Sequence, residues 1–194
     1  MAARPQFALA DQMTVEEFLG FTATRPDEER WELIEGVPVL SPSPVDFHQL
    51  VTANIVTFLM NEKRRLNASW LAMLGIGTRV PVSPNSLPQP DVFVKDGPLT
   101  GRPETADALV LFEVLSPSNT KADQAWRRKV YASIPNCQHY VTVSLKQVEV
   151  TVYDRSSGWK ARSQTSLNDS LDLPALGLSM PLADVYRYVP DLGA

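Results

Sequence analysis

The sequence predicts an α/β fold, a central mixed β-sheet flanked by helices. Segments with apolar residues at helical spacing interleave along one chain with short, β-branched runs. The run Ala108-Leu109-Val110-Leu111-Phe112-Glu113-Val114-Leu115 is apolar at every position but one, as expected of an interior strand covered on both faces. His139-Tyr140-Val141-Thr142-Val143 reads as a further strand. Val148, Val150 and Val152, alternating with Glu149, Thr151 and Tyr153, supply its hairpin partner.

The remaining elements follow in order. Thr14-Val15-Glu16-Glu17 matches a capping box, in which the threonine accepts from the third helical amide and the glutamate reaches back, so a helix is expected over 14–23. Trp31 to Val37 is a strand entering a tight Glu35-Gly36 turn and returning through Val39-Leu40. Asp46 is placed to cap a helix over 47–66, with Phe47, Val51, Ile55, Phe58 and Leu59 on one stripe. Leu71 to Val82 contains a strand, and Pro90 to Val94 another, with proline at the first residue, where it is tolerated. Ser116 to Thr120 ends the apolar strand and opens a helix over 120–133. An edge strand is expected over 159–164 and a terminal helix over 181–186.

The chain has 194 residues, enough for one domain with a real core, read here as 1–194 with a loose leader over 1–12. No repeat or low-complexity tract divides it, and the 16 prolines cluster where loops are expected. No apolar run is long enough to cross a bilayer, and Met1 to Ala10 lacks the apolar segment of a signal peptide. The single cysteine, Cys137, cannot form an internal disulfide, which favours a reducing cytoplasm. The net charge of −4 counts against a protein that coats nucleic acid, but it leaves room for an enzyme with acidic ligands and local basic patches. No zinc pattern, P-loop or nucleophile elbow is present.

Glu113 is the anomaly. A carboxylate inside an interior strand must be neutralised, paired with a core cation or bound to a metal. Asp91, after Pro90 at the mouth of another strand, reads alone as a turn former or cap. Together the two acids offer hard oxygen ligands from strands expected to be neighbours. Such a donor set suits Mg²⁺, which keeps several waters.

The order Pro90-Asp91, then Glu113 twenty-two residues on (91 to 113) in an apolar strand, then a helix, resembles the PD-(D/E)XK nuclease superfamily, and more narrowly its Uma-two branch of bacterial endonucleases. The shared phrases are Trp31 to Gly36, Ser43-Pro44 to His48-Gln49, Gln89 to Val92, Glu113 to Ser118, and then Asp123, Lys129 and Tyr131. They extend over about residues 13–189. The resemblance implies a restriction-endonuclease-like fold and Mg²⁺- or Mn²⁺-dependent hydrolysis of DNA, with Asp91 and Glu113 on the metal and Glu32 beside them. It also implies a homodimer, with one site for each strand of a duplex.

The lysine that the superfamily carries two residues after the glutamate is Leu115 here. In the Uma-two branch, the resemblance implies, that lysine has moved to the following helix. Lys129 lies roughly 13 Å back along that helix. Glu113 lies about 7–10 Å back from its strand end, so Lys129 is favoured over Lys121. Lys129 otherwise belongs to a solvated Arg127-Arg128-Lys129 face or contacts backbone phosphate. Glu32 is otherwise an exposed strand residue. His48 either contacts phosphate or caps a helix; Asp123 pairs with Arg127; Tyr131 is a site residue or core. Lys63-Arg64-Arg65, Arg79 and Arg127-Arg128-Lys129 are the basic groups available to phosphates. The expected activity is that of a metal-dependent endonuclease. The alternatives are a non-catalytic nucleic-acid- or protein-binding module on the same fold, and a hydrolase of small phosphate compounds.

Overall fold

A computed structural model describes residues 12–117 and 119–190. Apart from Gln12, the expected leader lies outside the described residues. In chain order the elements are α1 (Val15–Thr22), β1 (Trp31–Ile34), β2 (Val37–Leu40), α2 (Asp46–Leu66), β3 (Leu71–Leu74), β4 (Gly77–Thr78), β5 (Val92–Lys95) and β6 (Glu104–Thr105). They continue with β7 (Val110–Leu115), α3 (Lys121–Ala132), β8 (His139–Ser144), β9 (Val150–Asp154), β10 (Ala161–Gln164), β11 (Ser170–Leu173), β12 (Leu178–Pro181) and α4 (Leu182–Val185).

Local chemistry explains the boundaries. Thr14 and Glu17 form the expected capping box on α1, and Thr120 and Asp123 form a second on α3. Asp123 therefore serves the helix end, where pairing with Arg127 was expected. The β1–β2 turn places Glu35 at φ 51° and Gly36 at φ 80°, the two left-handed residues of a type I′ hairpin. Gly36 is also needed for space, because a Cβ there would lie 2.6 Å from Gln12 Cβ. Asp46 does not cap α2. The cap position is Val45, with no side-chain bond, and Asp46 is the first helical residue, accepting from the Phe47 amide at 2.8 Å.

Six strands form the central sheet in the order β10-β9-β8-β7-β5-β3. Only β7 and β8 pair in parallel, joined by the α3 crossover; the other neighbours are antiparallel. Alternate side chains divide between two layers. On one face Val92, Val94 and Phe112 pack with Val51, Ile55 and Leu59 of α2. On the other, Phe93, Leu111 and Tyr140 pack with Val130, Tyr131 and Ile134 from α3 and the turn after it. The β11–β12 hairpin was not anticipated. It buries Leu171, Leu173, Leu178 and Met180 in the α2-side layer, an alternation interrupted in the sequence by the Pro174–Leu176 turn.

Candidate active site

Two carboxylates meet at one corner of the sheet. Asp91 stands just before β5, and Glu113 lies in β7. The register pairs Val92 with Phe112, so one residue further Asp91 stands opposite Glu113. Directly opposed residues have Cβ atoms about 4.5–5.5 Å apart. The Asp91 amide donates to the Phe112 carbonyl at 3.0 Å, and the Val114 amide donates to Asp91 Oδ2 at 2.8 Å. Asp91 is 7% exposed and Glu113 is 6% exposed.

Asp91 is held from two sides. Arg30 Nη1 donates to Oδ1 at 3.0 Å, and His48 Nε2 lies 3.3 Å from Oδ2. Arg30 Nη2 also donates to the Gln89 carbonyl at 2.8 Å, which ties the Pro90-Asp91 corner to the loop before β1. Burial pushes the Asp91 carboxyl up, but the His48 bond, the Arg30 charge and the Val114 amide outweigh it and hold the group below its ordinary range.

Glu113 is held from α3. Tyr131 donates its hydroxyl to Oε1 at 2.9 Å, and Arg127 Nη1 donates to the same oxygen at 3.0 Å. No hydrogen bond reaches Oε2 among the described residues. Burial raises the carboxyl to about 7; Arg127 opposes the shift, and Asp91 and Glu32 reinforce it. Glu32, in β1, is bound to the same guanidinium: Arg127 Nη2 donates to its oxygens at 2.9 and 2.7 Å, and the Gln89 amide donates to Oε1 at 2.6 Å.

A profile of one family covers residues 15–183; it is described as "Putative restriction endonuclease" and named Uma2. The chain belongs to the Uma2 family. Its fold matches the crystal structure of a "putative nuclease belonging to DUF820" from Anabaena variabilis, with TM-score 0.72 and 17% identity over 90% of this chain and 97% of that one. The likeness shows the fold, a mixed sheet flanked by helices. A curated relative, the uncharacterized protein slr1290 of Synechocystis sp., is 33% identical over 80 residues, 40% of this chain. The match spans 42% of that relative's length.

In this Uma2 member the candidate residues are only partly gathered. Glu113, Glu32 and Tyr131 gather around Arg127, while Asp91 and His48 form a second group, joined to the first through Arg30 and the Gln89 and Val114 backbone. The three acids do not form a cage. Among the described residues no group of three or more His, Cys, Asp or Glu is placed to hold a metal, and both oxygens of Glu32 are bound to Arg127, one of them also to the Gln89 amide. The donor set that remains, two facing carboxylates with one uncommitted oxygen, fits a hard cation that keeps most of its waters.

Lys129 is not brought to the carboxylates. Successive helical residues are about 100° apart, so Lys129 lies about 200° around α3 from Arg127. Arg127 and Tyr131, one turn apart, face Glu113, and Lys129 is exposed. Arg127 was read in the sequence only as part of a basic run; the Trp126, Val130 and Tyr131 stripe was the signal that turns it inward. Arg30 carried no sequence signal.

A cleft of about 780 Å³ opens onto Asp91, with Arg30 and His48 in its lining. Most of the basic groups expected to meet phosphate have partners within the protein, while Lys129 lies exposed on α3. Arg65 pairs with Glu62, Lys63 donates to the Ala68 carbonyl, Arg79 bridges Glu16 and Glu104, and Arg128 lies over the Tyr153 ring. Among the described residues no helix is long and apolar enough to cross a membrane.

Proposed function

We propose that the protein is a divalent-metal-dependent endonuclease that hydrolyses phosphodiester bonds in DNA, using Mg²⁺ or Mn²⁺ held by Asp91 and Glu113. The observation that carries this reading is the opposed pair itself. Two nearly buried carboxylates stand opposite each other on neighbouring strands, and Oε2 of Glu113 accepts no hydrogen bond among the described residues. Family membership supports it. An ion bound there would polarise a phosphoryl oxygen and acidify a bound water.

The chain's own residues position the reaction. Arg30 and His48 fix Asp91, while Tyr131 and Arg127 fix Glu113. Glu32 and Glu113 keep the buried Arg127 charged against the cost of burial. In hydrolysis a water oxygen bonds to phosphorus, the bond to one sugar oxygen breaks, and the water's proton ends on the departing oxygen. Arg127 is a positioning residue and a fixed positive charge near the developing phosphorane charge. It takes the place expected of Lys129, which from the exposed face of α3 can meet backbone phosphate. Cytoplasmic action suits the buried thiol of Cys137, which burial pushes up to about 12 and so keeps unreactive.

One observation favours a second reading, a non-catalytic binding module. Arg30, His48 and Arg127 already contact the carboxylates, and Leu115 stands where the superfamily carries its lysine. Incubation of supercoiled plasmid and of single-stranded DNA with purified protein in Mg²⁺ or Mn²⁺ separates the two. Nicking that disappears in Asp91→Asn supports the enzyme. DNA bound without metal and never nicked supports the module.

A further inference from the structure

We propose that the cleft leading to Asp91 takes an unpaired nucleic-acid strand, so that the substrate is single-stranded, frayed or flapped DNA rather than intact duplex. This rests on the hydrolytic reading above and specifies its substrate.

The first argument is access. Both carboxylates are more than nine-tenths buried, so a scissile phosphate must enter the cleft to approach Asp91. Its volume of about 780 Å³ is that of a site for a compact ligand. A base-paired strand has to be unstacked and unpaired to enter such a space, at a cost of about a few kcal/mol, least for a strand already single.

Charge is the second argument. Asp27, Glu28 and Glu29 line the cleft, and the first two are exposed. Duplex DNA carries one negative charge per about 1.7 Å of axis, and such a rim repels it more than it repels a single strand. Arg30, its side chain 34% exposed, is the cationic side chain in the lining, and its Nη1 is already bound to Asp91, which leaves little positive charge for the closely spaced phosphates of a duplex. The Lys63–Arg65 cluster, which a duplex would need as a second support, lies at the far end of α2, roughly 22 Å from His48 at the helical rise.

The walls suit a base once it is exposed. Leu74 is 61% exposed and, with Val56, gives an apolar surface in the lining. Gln89 donates its amide to the Trp31 carbonyl, which leaves the amide oxygen to accept from a base amino group. The rim carboxylates can accept from such groups as well.

The test is anisotropy of a fluorescent single strand and of the same strand in a blunt duplex, with the full-length protein in Mg²⁺ and cleavage read on the same samples. Ala53→Trp and Thr57→Trp place bulk on exposed positions of α2 that line the cleft, with circular dichroism checking the fold. The expected result is single-strand binding and cleavage roughly tenfold better than duplex, about 1.4 kcal/mol, with that preference lost in both variants. Equal or better duplex binding, or folded Trp variants that behave as wild type, overturns the proposal. Single-strand binding that depends on the cleft but gives no cleavage keeps the cleft assignment and removes the hydrolytic reading. Duplex cleavage indifferent to both Trp variants does the reverse.

Discussion

Arg127 Nη1 lies 3.0 Å from Glu113 Oε1, and the other terminal nitrogen of the same guanidinium grips both oxygens of Glu32. One side chain from α3 thus joins a carboxylate of the interior strand to one on the β1–β2 hairpin. Removing one partner of a buried pair leaves uncompensated charge, at about 3–5 kcal/mol. Here one substitution would strand two acids. Arg127→Ala is therefore expected to lose at least that much stability in urea denaturation, and most of any cleavage activity. Lys129→Ala, an exposed change, should stay within about 0.5 kcal/mol of wild type.

The Glu113 carboxyl, raised to about 7 from an ordinary 4.5, makes the metal-free protein pH-sensitive. The folded state holds this proton more tightly than the unfolded chain. The stability it contributes is fully present below about pH 4.5 and is lost as pH rises through 7. At about 1.4 kcal/mol per unit the loss is on the order of 3 kcal/mol. Denaturation midpoints in chelator should fall across that window, and Glu113→Gln should remove the slope. Asp91, held low, acts in the opposite sense: its contribution is present at neutral pH and is lost only in acid, as pH falls through its depressed value.

Gly75 lets β3 approach the Pro90-Asp91 corner. A Cβ at this position would lie 1.7 Å from the Pro90 carbonyl oxygen and 3.5 Å from Arg30 Nη2. Overpacking of this kind costs about 1–3 kcal/mol, so Gly75→Ala should destabilise by at least that. It should also impair cleavage, because the backbone that moves carries Asp91. Calorimetric melting beside a cleavage assay checks both effects.

Thr120 closes the capping box that starts α3, the helix bearing Arg127 and Tyr131. Thr120→Ala should cost about 1 kcal/mol in chemical denaturation. Thr120→Ser keeps the acceptor and should restore most of it.

What the sequence made legible was local. The β1–β2 hairpin, the capping box of α1 and the apolar β7 are written in residues near one another in the chain, and Asp91 and Glu113 stood out because charge at a strand mouth and in an interior strand is costly. The β11–β12 hairpin was obscured because its buried leucines are split by a short turn, so neither half shows a long alternation. Lys129 was favoured over Lys121 by distance along α3 alone, and Arg127 was read only as part of a basic run. Which residue meets the sheet is set by rotation around the helix, and the burial of Val130 and Tyr131 decides that. Arg30 and His48 depend on tertiary approach, across 61 residues in the case of Arg30 and Asp91.

The central claim is that Asp91 and Glu113 together hold the ion on which cleavage depends. Its most direct measurement is the Mn²⁺ dependence of the cleavage rate of a labelled oligonucleotide, for wild type, Asp91→Asn and Glu113→Gln. A saturable dependence in wild type, with the rate in both variants reduced by about a hundredfold or more, corresponding to at least about 2.7 kcal/mol of transition-state stabilisation, is the predicted result. Cleavage that persists in chelator, or that survives both substitutions, would contradict it.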